Sequence, residues 1–243
     1  MNLLKSIDNN IIYPIYNLIS LYLSKRVMNY YKTVYADENQ KSQNLDYKSG
    51  NLGYAYIHYA IIRNTQPNRI LCIGSMRGYI PFICAIACKD NKNGIVDFVD
   101  AGYDIKDKKH TGKHFFGDGF WNKINIKKHF SYLKANQYIN TYITTSKKFA
   151  QKCSQRKYDY IHIDGDHTYK GLKLDYKLYW NKLNKGGFMV FHDMSQKGYR
   201  QGLKWEMWKF WNDLKTKNKS WIEFPDQSLS NIGGIGIIQK QSD

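Results

Sequence analysis

The sequence lacks several features that mark particular classes of protein. It has four cysteines in 243 residues, and no two are spaced as CxxC. It has no run of about 18 apolar residues, the length that a membrane-spanning helix needs. Its first residues lack a basic segment followed by a small-residue cleavage site, so we predict no signal peptide. We therefore expect buried free thiols in a reducing compartment and no spanning helix.

Acidic residues are also few. There are 20 Asp and Glu against 37 Lys and Arg, which gives a formal net charge of +17. This excess of positive charge is compatible with a nucleic acid, an anionic membrane surface or an anionic substrate as the binding partner. The lysines are scattered along the chain, as a bias in coding composition would leave them, so we expect no nucleic-acid partner. The hydrophobic content of 42% is that of a globular protein.

The most informative stretch of the sequence runs from Tyr158 to Met194. Two short apolar runs, Tyr160–Ile163 and Phe188–Phe191, have the length of strands buried on both faces. Between them, apolar residues recur at helical spacing, and Lys185-Gly186-Gly187 is predicted to end the helix. These recurring residues are Leu172, Tyr176, Tyr179, Trp180 and Leu183.

Polar residues follow each of these two strands. A strand–helix–strand unit makes the strands parallel, and ligands of parallel sheets bind outside the carboxyl ends of the strands. We therefore expect one cleft to contain Asp164, His167, His192 and Asp193. Asp166 is predicted to cap or brace the turn.

A second unit lies upstream of the first. The predicted strand Arg69–Ile73 runs into a turn that carries Gly74, Ser75 and Gly78, followed by a helix over Ile80–Cys88. Glycines let a backbone approach a ligand closely, and a helix N-terminus offers N–H donors. A second strand, residues 94–101, places Asp100 where an acid can accept both hydroxyls of a ribose.

The rest of the chain divides at about residue 50. Residues 1–50 are predicted to form a helical extension and a linker, and residues 51–243 the main domain. The apolar stripe of the first helix either packs on the main domain or a twin subunit, or gives residues 1–26 a peripheral membrane contact. Further predicted elements are helices over 53–64, 123–136 and 203–214, strands over 138–144 and 233–238, a loop over 195–202, and an irregular insert over 102–122 that contains His110 and His114.

These motifs together resemble a known family. The glycine turn, the acid after the second strand and the HIDGDHTY segment are similar to those of class I S-adenosylmethionine-dependent methyltransferases. The run from Asp159 to Asp193 resembles the group that includes metal-dependent sugar O-methyltransferases. The resemblance implies an α/β, Rossmann-like fold with a mostly parallel seven-stranded sheet flanked by helices. It also implies that S-adenosylmethionine is bound by Gly74, Ser75, Gly78 and Asp100, with Ser146 near the adenine.

The resemblance also implies a cation and a base. Asp164 and the pair His192 and Asp193 match the magnesium ligands of that group, and His167 matches its general base. His192 stands where those relatives carry glutamate, and Cys72 where the superfamily usually has an acid. Imidazole is a poor magnesium ligand. Three alternatives therefore stay open: Mg²⁺ on the two aspartates, a softer ion such as Mn²⁺, or no metal.

The resemblance thus implies O-methylation of a sugar hydroxyl in a glycan, a glycolipid or a glycosylated metabolite. The charge suggests an RNA methyltransferase as an alternative, but no NPPY-type motif or added RNA-binding module accompanies it. A non-catalytic cofactor-binding or membrane-attached subunit is the other alternative. We expect the protein in the cytoplasm or at the inner face of the membrane, with self-association open.

Overall fold

The computed structural model describes residues 23–28, 30, 51–104, 106, 118–195, 197–200, 203–217, 220–226 and 233–241. Most of the predicted amphipathic stripe near the N-terminus, the predicted linker before residue 51, and the pair His110 and His114 lie outside these residues. Among the described residues, no helix is both long and apolar enough to cross a bilayer.

Seven strands form one sheet in the order β3-β2-β1-β4-β5-β9-β8. The first five strands pair in parallel, while β9 pairs antiparallel with both β5 and β8. The predicted mostly parallel seven-stranded sheet is therefore confirmed. Its strands are β1 (Arg69–Ile73), β2 (Ile95–Asp100), β3 (Ile139–Ile143), β4 (Tyr158–Ile163), β5 (Leu183–His192), β8 (Trp221–Phe224) and β9 (Ile235–Gln239).

Helices cover both faces of the sheet. They are α1 (Ala55–Thr65), α2 (Tyr79–Asn91), α3 (Phe120–Lys123), α4 (Ile126–His129), α5 (Ser146–Lys152), α6 (Tyr169–Tyr179) and α7 (Met207–Lys217), with short 3-10 helices at Tyr132–Gln137 and Trp180–Lys182. Side chains of β1 alternate between two cores: Ile70 and Cys72 pack with α1 and α2, whereas Leu71 and Ile73 pack with α5, α6 and α7. This two-sided burial explains why the strands read as continuous apolar runs.

The described part of the N-terminal extension packs on the main domain. Residues 23–28 are helical, and Arg26 forms a bidentate ion pair with Asp90 in α2, at 2.8 and 3.0 Å. The ring of Tyr30 stacks on Phe82, with centroids 3.6 Å apart. At this end of the extension the structure therefore agrees with a packed helix.

The predicted end of the central helix is wrong. The helix of the central unit ends at Tyr179, and β5 already begins at Leu183. Gly186 and Gly187 therefore lie inside the strand, where the register with β4 shifts between Tyr158 and Tyr160. A Cβ on Gly187 would lie 2.8 Å from the carbonyl oxygen of Asp159, so this glycine permits close approach of two strands and does not cap a helix.

The predicted helix over 123–136 is instead three short pieces. Ile124 is extended, and the Asn125 side chain caps a new helix by accepting from Lys128 N–H at 2.9 Å. Leu133 and Lys134 then take positive φ values, which breaks the remaining segment. Local side-chain capping and the packing of Phe130 beneath the glycine turn override the helical pattern.

The predicted helix over 203–214 is wrong at its start, and part of the predicted loop over 195–202 is a strand. A small antiparallel hairpin forms from β6 (Gly198–Arg200) and β7 (Leu203–Trp205), and the helix begins at Met207. Trp205 therefore does not share a helix face with Trp211. The edge strand β8 was not predicted.

Candidate active site

The site lies where β1, β2 and β4 end side by side. Gly74 N–H donates to the Val99 carbonyl oxygen at 2.8 Å, and Asp164 N–H donates to the Ile73 carbonyl oxygen at 2.8 Å. The helix after β1 packs on one face of the sheet and the helix after β4 on the other. Crevices of this kind are where open parallel sheets bind ligands.

The predicted glycine turn has the geometry that only glycine allows. Gly74 has φ +69°, and a Cβ there would lie 2.1 Å from the carbonyl oxygen of Asp164. Gly78 has φ +86°, and its Cβ would lie 2.8 Å from Trp121 and 2.9 Å from Phe130. Met76, between them, also has positive φ and is 51% exposed. The turn therefore runs directly against the start of the Asp164 loop.

Asp100 ends β2 beside this turn, as predicted. Its Oδ1 accepts from Gly102 N–H at 2.8 Å. Burial raises the pKa of Asp100 to about 6, and the nearby charge of Asp164 acts in the same direction. Backbone hydrogen bonds from Gly102 and Ser75 lower the pKa and offset part of this rise. The Asp100 carboxylate is therefore mostly ionised at neutral pH and able to accept hydrogen bonds.

Ser146 begins α5 next to the end of β3. Its hydroxyl donates to Asp175 Oδ1 at 2.6 Å, and burial raises the pKa of Asp175 to about 7. The hydroxyl of Ser146, which the resemblance places near the adenine, is thus already bound to Asp175. Sequence inspection missed Asp175, because a single acid in an amphipathic helix looks like a surface residue.

The predicted polar cluster does converge in one place. His167 Nε2 lies 3.2 Å from Asp164 Oδ1 and 3.4 Å from Asp193 Oδ2. His192 Nδ1 lies 2.9 Å from Asp193 Oδ1 and 3.6 Å from Asp164 Oδ1. All four side chains are largely buried, with at most 13% of any one exposed. Asp193 has φ +59°, a strained conformation typical of functional sites.

The cluster contains a group of residues that fits a cation. One ligand atom from each of Asp164, His167 and Asp193 lies within 4.8 Å of the other two. The group includes His167, whereas the resemblance assigned the third position to His192. Two carboxylate oxygens and one imidazole nitrogen suit Mn²⁺ at least as well as Mg²⁺.

His167 is held from one side by an aromatic ring that the sequence did not indicate. The indole of Trp205 stacks on the imidazole with ring centroids 4.0 Å apart and an interplanar angle of 22°. Glu206 N–H also donates to the His167 carbonyl oxygen at 3.1 Å. Within the described part of the chain, His167 Nδ1 makes no hydrogen bond. The β6–β7 hairpin therefore fixes the ring without engaging that nitrogen.

Asp166 braces the turn, as predicted. Its Oδ1 accepts from the backbone N–H and the hydroxyl of Thr168, at 2.9 and 2.8 Å. Thr168 in turn caps α6 by accepting from Gly171 N–H at 3.0 Å. This network sets the direction in which the chain leaves the site, and it leaves Asp166 outside the cation group.

Two buried histidines stand behind the cluster, and the sequence analysis did not single them out. His58 Nδ1 lies 2.6 Å from Tyr160 Oη, and its ring meets that of His162 edge-on at 4.8 Å. His162 is 6.2 Å from the ring of His192. Burial lowers the pKa of His58 to about 3 and that of His162 well below its usual value. Both rings are therefore neutral at physiological pH.

The cysteines take no part in this cluster. Cys72, Cys84 and Cys88 are free and buried, as predicted, and Cys153 is free and half-buried. Cys72 stands 4.0 Å from Cys84, sulfur to sulfur, in the core beneath α2.

Solved structures resemble the whole domain at low sequence identity. A methyltransferase of Podospora anserina, bound to S-adenosylhomocysteine, has a TM-score of 0.59 and 12% identity and covers 96% of this chain and 97% of that one. TomG of Streptomyces achromogenes is an O-methyltransferase of tomaymycin synthesis, solved with S-adenosylmethionine. It has a TM-score of 0.55 and 12% identity and covers 95% of this chain and 99% of that one. An O-methyltransferase of Bacillus cereus, solved with S-adenosylhomocysteine, has a TM-score of 0.53 and 13% identity and covers 96% of this chain and 94% of that one.

These likenesses confirm the predicted class I methyltransferase fold.

Among curated proteins, the Sinorhizobium fredii (strain NBRC 101917 / NGR234) "Uncharacterized protein y4gI" is 23% identical over 180 residues, 73% of this chain. This chain spans 18% of the length of that relative. The family model described as "Methyltransferase domain" matches residues 71–194, just over half of the chain, which include the glycine turn, Asp100 and the polar cluster from Asp164 to Asp193. The chain therefore belongs to the methyltransferase-domain family.

Proposed function

We propose that the protein is an S-adenosylmethionine-dependent O-methyltransferase that methylates a sugar hydroxyl with the help of a divalent cation. One observation carries the proposal: Asp164, His167 and Asp193 form a cation-sized group directly beside the glycine turn. A methyl donor held by the turn and an acceptor held by the group would then be neighbours, which is what an in-line displacement requires.

The cofactor side is supported by the shape of the turn. Gly74, Ser75 and Gly78 present backbone at a helix N-terminus, and Asp100 offers an ionised carboxylate for the two hydroxyls of a ribose. Ser146, whose hydroxyl is bound to Asp175, would line the adenine side without donating to it. The structural neighbours that hold S-adenosylmethionine or S-adenosylhomocysteine have the same fold.

The cation would bind between Asp164 and Asp193. When bound there it would lower the pKa of an acceptor hydroxyl, which is otherwise a very weak acid. We assign His192 to the support of Asp193, since it is 1% exposed and sits 2.9 Å behind that carboxylate. The cation group still contains one imidazole, that of His167, and a ligand set with an imidazole favours Mn²⁺ over Mg²⁺.

His167 is our proposed general base. Methyl transfer leaves a proton on the acceptor oxygen, and a histidine is able to accept it at neutral pH. Trp205 holds the imidazole flat against the hairpin, and Nδ1 makes no hydrogen bond among the described residues. The same ring could instead ligate the cation, and the two roles predict different effects of one substitution.

A sugar is the proposed acceptor because a cation held by two carboxylates can bind two adjacent hydroxyls of the acceptor. The resemblance of HIDGDHTY to the sugar-methylating group points the same way. Membrane contact through residues 1–26 and self-association remain predictions.

Calorimetric titration tests the cofactor first. We expect S-adenosylmethionine to bind, and Mn²⁺ or Mg²⁺ to give a separate heat that Asp164→Asn abolishes. Asp213→Asn, an exposed carboxylate on α7, is the matched control and should leave both heats unchanged. Absence of any cofactor binding would refute the proposal.

The role of His167 is tested by His167→Ala. As a base, its removal should leave cofactor and metal heats intact and lower turnover by about a hundredfold or more. Loss of the metal heat would instead make His167 a ligand. Near-normal turnover would exclude both roles.

A further inference from the structure

One side of the molecule carries a concentrated positive charge. Helices α5 and α6 pack together, joined by the hydrogen bond from Ser146 to Asp175 and by another from the Tyr179 hydroxyl to the Ser146 carbonyl oxygen, both 2.6 Å. Their apolar sides share one core, so their polar sides point outward from the same layer. We call this outer surface, together with the loop that follows α5, the lysine face. Its exposed lysines are Lys147, Lys148 and Lys152 on α5, Lys170, Lys173 and Lys177 on α6, and Lys157 in the loop.

No acid of the same segment balances these lysines, and the exposed Asp213 of α7 accepts a hydrogen bond from Tyr169 in α6. Between residues 144 and 185 there is no glutamate, and the four aspartates are buried or half-buried and already hold partners. They are Asp159, Asp164, Asp166 and Asp175. Within the described part of the chain, none of the seven lysines forms an ion pair.

The arrangement works against the stability of the helices. Lys147 and Lys148 lie in the first turn of α5 and Lys170 in that of α6, where the helix dipole disfavours positive charge. Lys173 and Lys177, four residues apart on α6, repel one another. An anionic surface laid against this face would relieve both effects.

We propose that the lysine face docks the protein on an anionic lipid bilayer. Leu174, between Lys173 and Lys177, is 44% exposed, and an apolar side chain among lysines suits the boundary between headgroups and acyl chains. Nucleic-acid strands are usually held by exposed aromatic rings, but every aromatic side chain in α5 and α6 is buried or half-buried. Both helices begin at the sheet edge that carries the candidate site, so docking would bring that site to the membrane.

The test is flotation of the full chain with phosphatidylcholine vesicles, with and without phosphatidylserine. We expect binding only with phosphatidylserine and a fall in binding as salt rises. The triple variant Lys152→Gln/Lys173→Gln/Lys177→Gln should weaken binding by about a hundredfold, at roughly fivefold per lysine. The matched control, Lys92→Gln/Lys127→Gln/Lys128→Gln, removes three exposed lysines from other parts of the surface and should bind almost as well as the wild type.

Equal losses in the two triple variants would mean that only the net charge matters, and would overturn the proposal. Leu174→Gln should weaken vesicle binding several-fold; no effect would overturn docking at the headgroup boundary. Retention of a single-stranded RNA oligonucleotide in preference to vesicles would assign the face to nucleic acid. Circular dichroism should show all variants folded, because every substituted side chain is exposed. Cofactor binding serves as a separate readout that does not depend on this proposal.

Discussion

Trp205 is the residue that most changes our view of the site. It is 3% exposed and stacks on His167 from a hairpin that is remote in sequence. An imidazole with one face packed against an indole keeps its orientation while substrate enters and leaves. We therefore propose that Trp205 is a positioning residue for His167.

Replacement of Trp205 tests this role. Trp205→Leu should lower kcat by about fivefold with little change in cofactor affinity, since an aromatic contact is worth about 1 kcal/mol. Trp205→Phe retains a ring and should recover most of the rate. Steady-state kinetics and calorimetry on both variants give the comparison, and equal rates in Leu and Phe variants would contradict the positioning role.

At the scale of elements, the loop from Asp164 to α6 depends on one cap. Thr168 Oγ1 accepts from Gly171 N–H, and the Thr168 hydroxyl donates to Asp166. The cap both starts the helix and fixes the loop that carries Asp164 and His167. Its strength should therefore affect stability and the site together.

Thr168→Ala should lower the free energy of unfolding by about 1 kcal/mol, the usual value of an N-cap. Thr216→Ala is a matched control, because the Thr216 hydroxyl, at an exposed position of α7, donates back to the Asp213 carbonyl oxygen. Urea denaturation measures both. An equal loss in the two variants would show that the cap carries no special weight.

At the scale of the whole molecule, the buried histidines couple stability to pH. The pKa of His58 is about 3 in the folded chain, because of burial and then the nearby His192, against an ordinary value of 6.5. Between these two values the unfolded chain binds a proton that the folded chain does not. The contribution of His58 is thus complete above pH 6.5 and is lost as the pH falls towards 3.

His58→Gln should make the protein less sensitive to acid. Both proteins should lose free energy of unfolding when the pH falls from 7 to 5. The loss in the variant should be about 2 kcal/mol smaller than the loss in the wild type. Urea denaturation at the two pH values provides the difference. Parallel losses in both proteins would contradict a neutral buried His58.

The sequence by itself determined the order of the central elements. The runs before Gly74, Asp100, Asp164 and His192 are buried on both faces, and mostly apolar residues fill such strands, so the pattern was readable without tertiary information. The turn residues followed from the same logic. Gly74 is required because the Asp164 carbonyl oxygen leaves no room for a Cβ.

Only the tertiary structure decided which side chains meet. Trp205 faces His167 because a hairpin forms where the pattern predicted a helix, and Gly187 lies in β5 because pairing with β4 continues through it. His167 Nε2 lies 3.2 Å from Asp164 Oδ1 and 3.4 Å from Asp193 Oδ2 because β4 and β5 end side by side in the sheet. The lysine face exists because α5 and α6 pack side by side, while their lysines look scattered in the sequence. Contacts between segments that are distant in the sequence determine these features, and the helix and strand propensities of single residues do not predict such contacts.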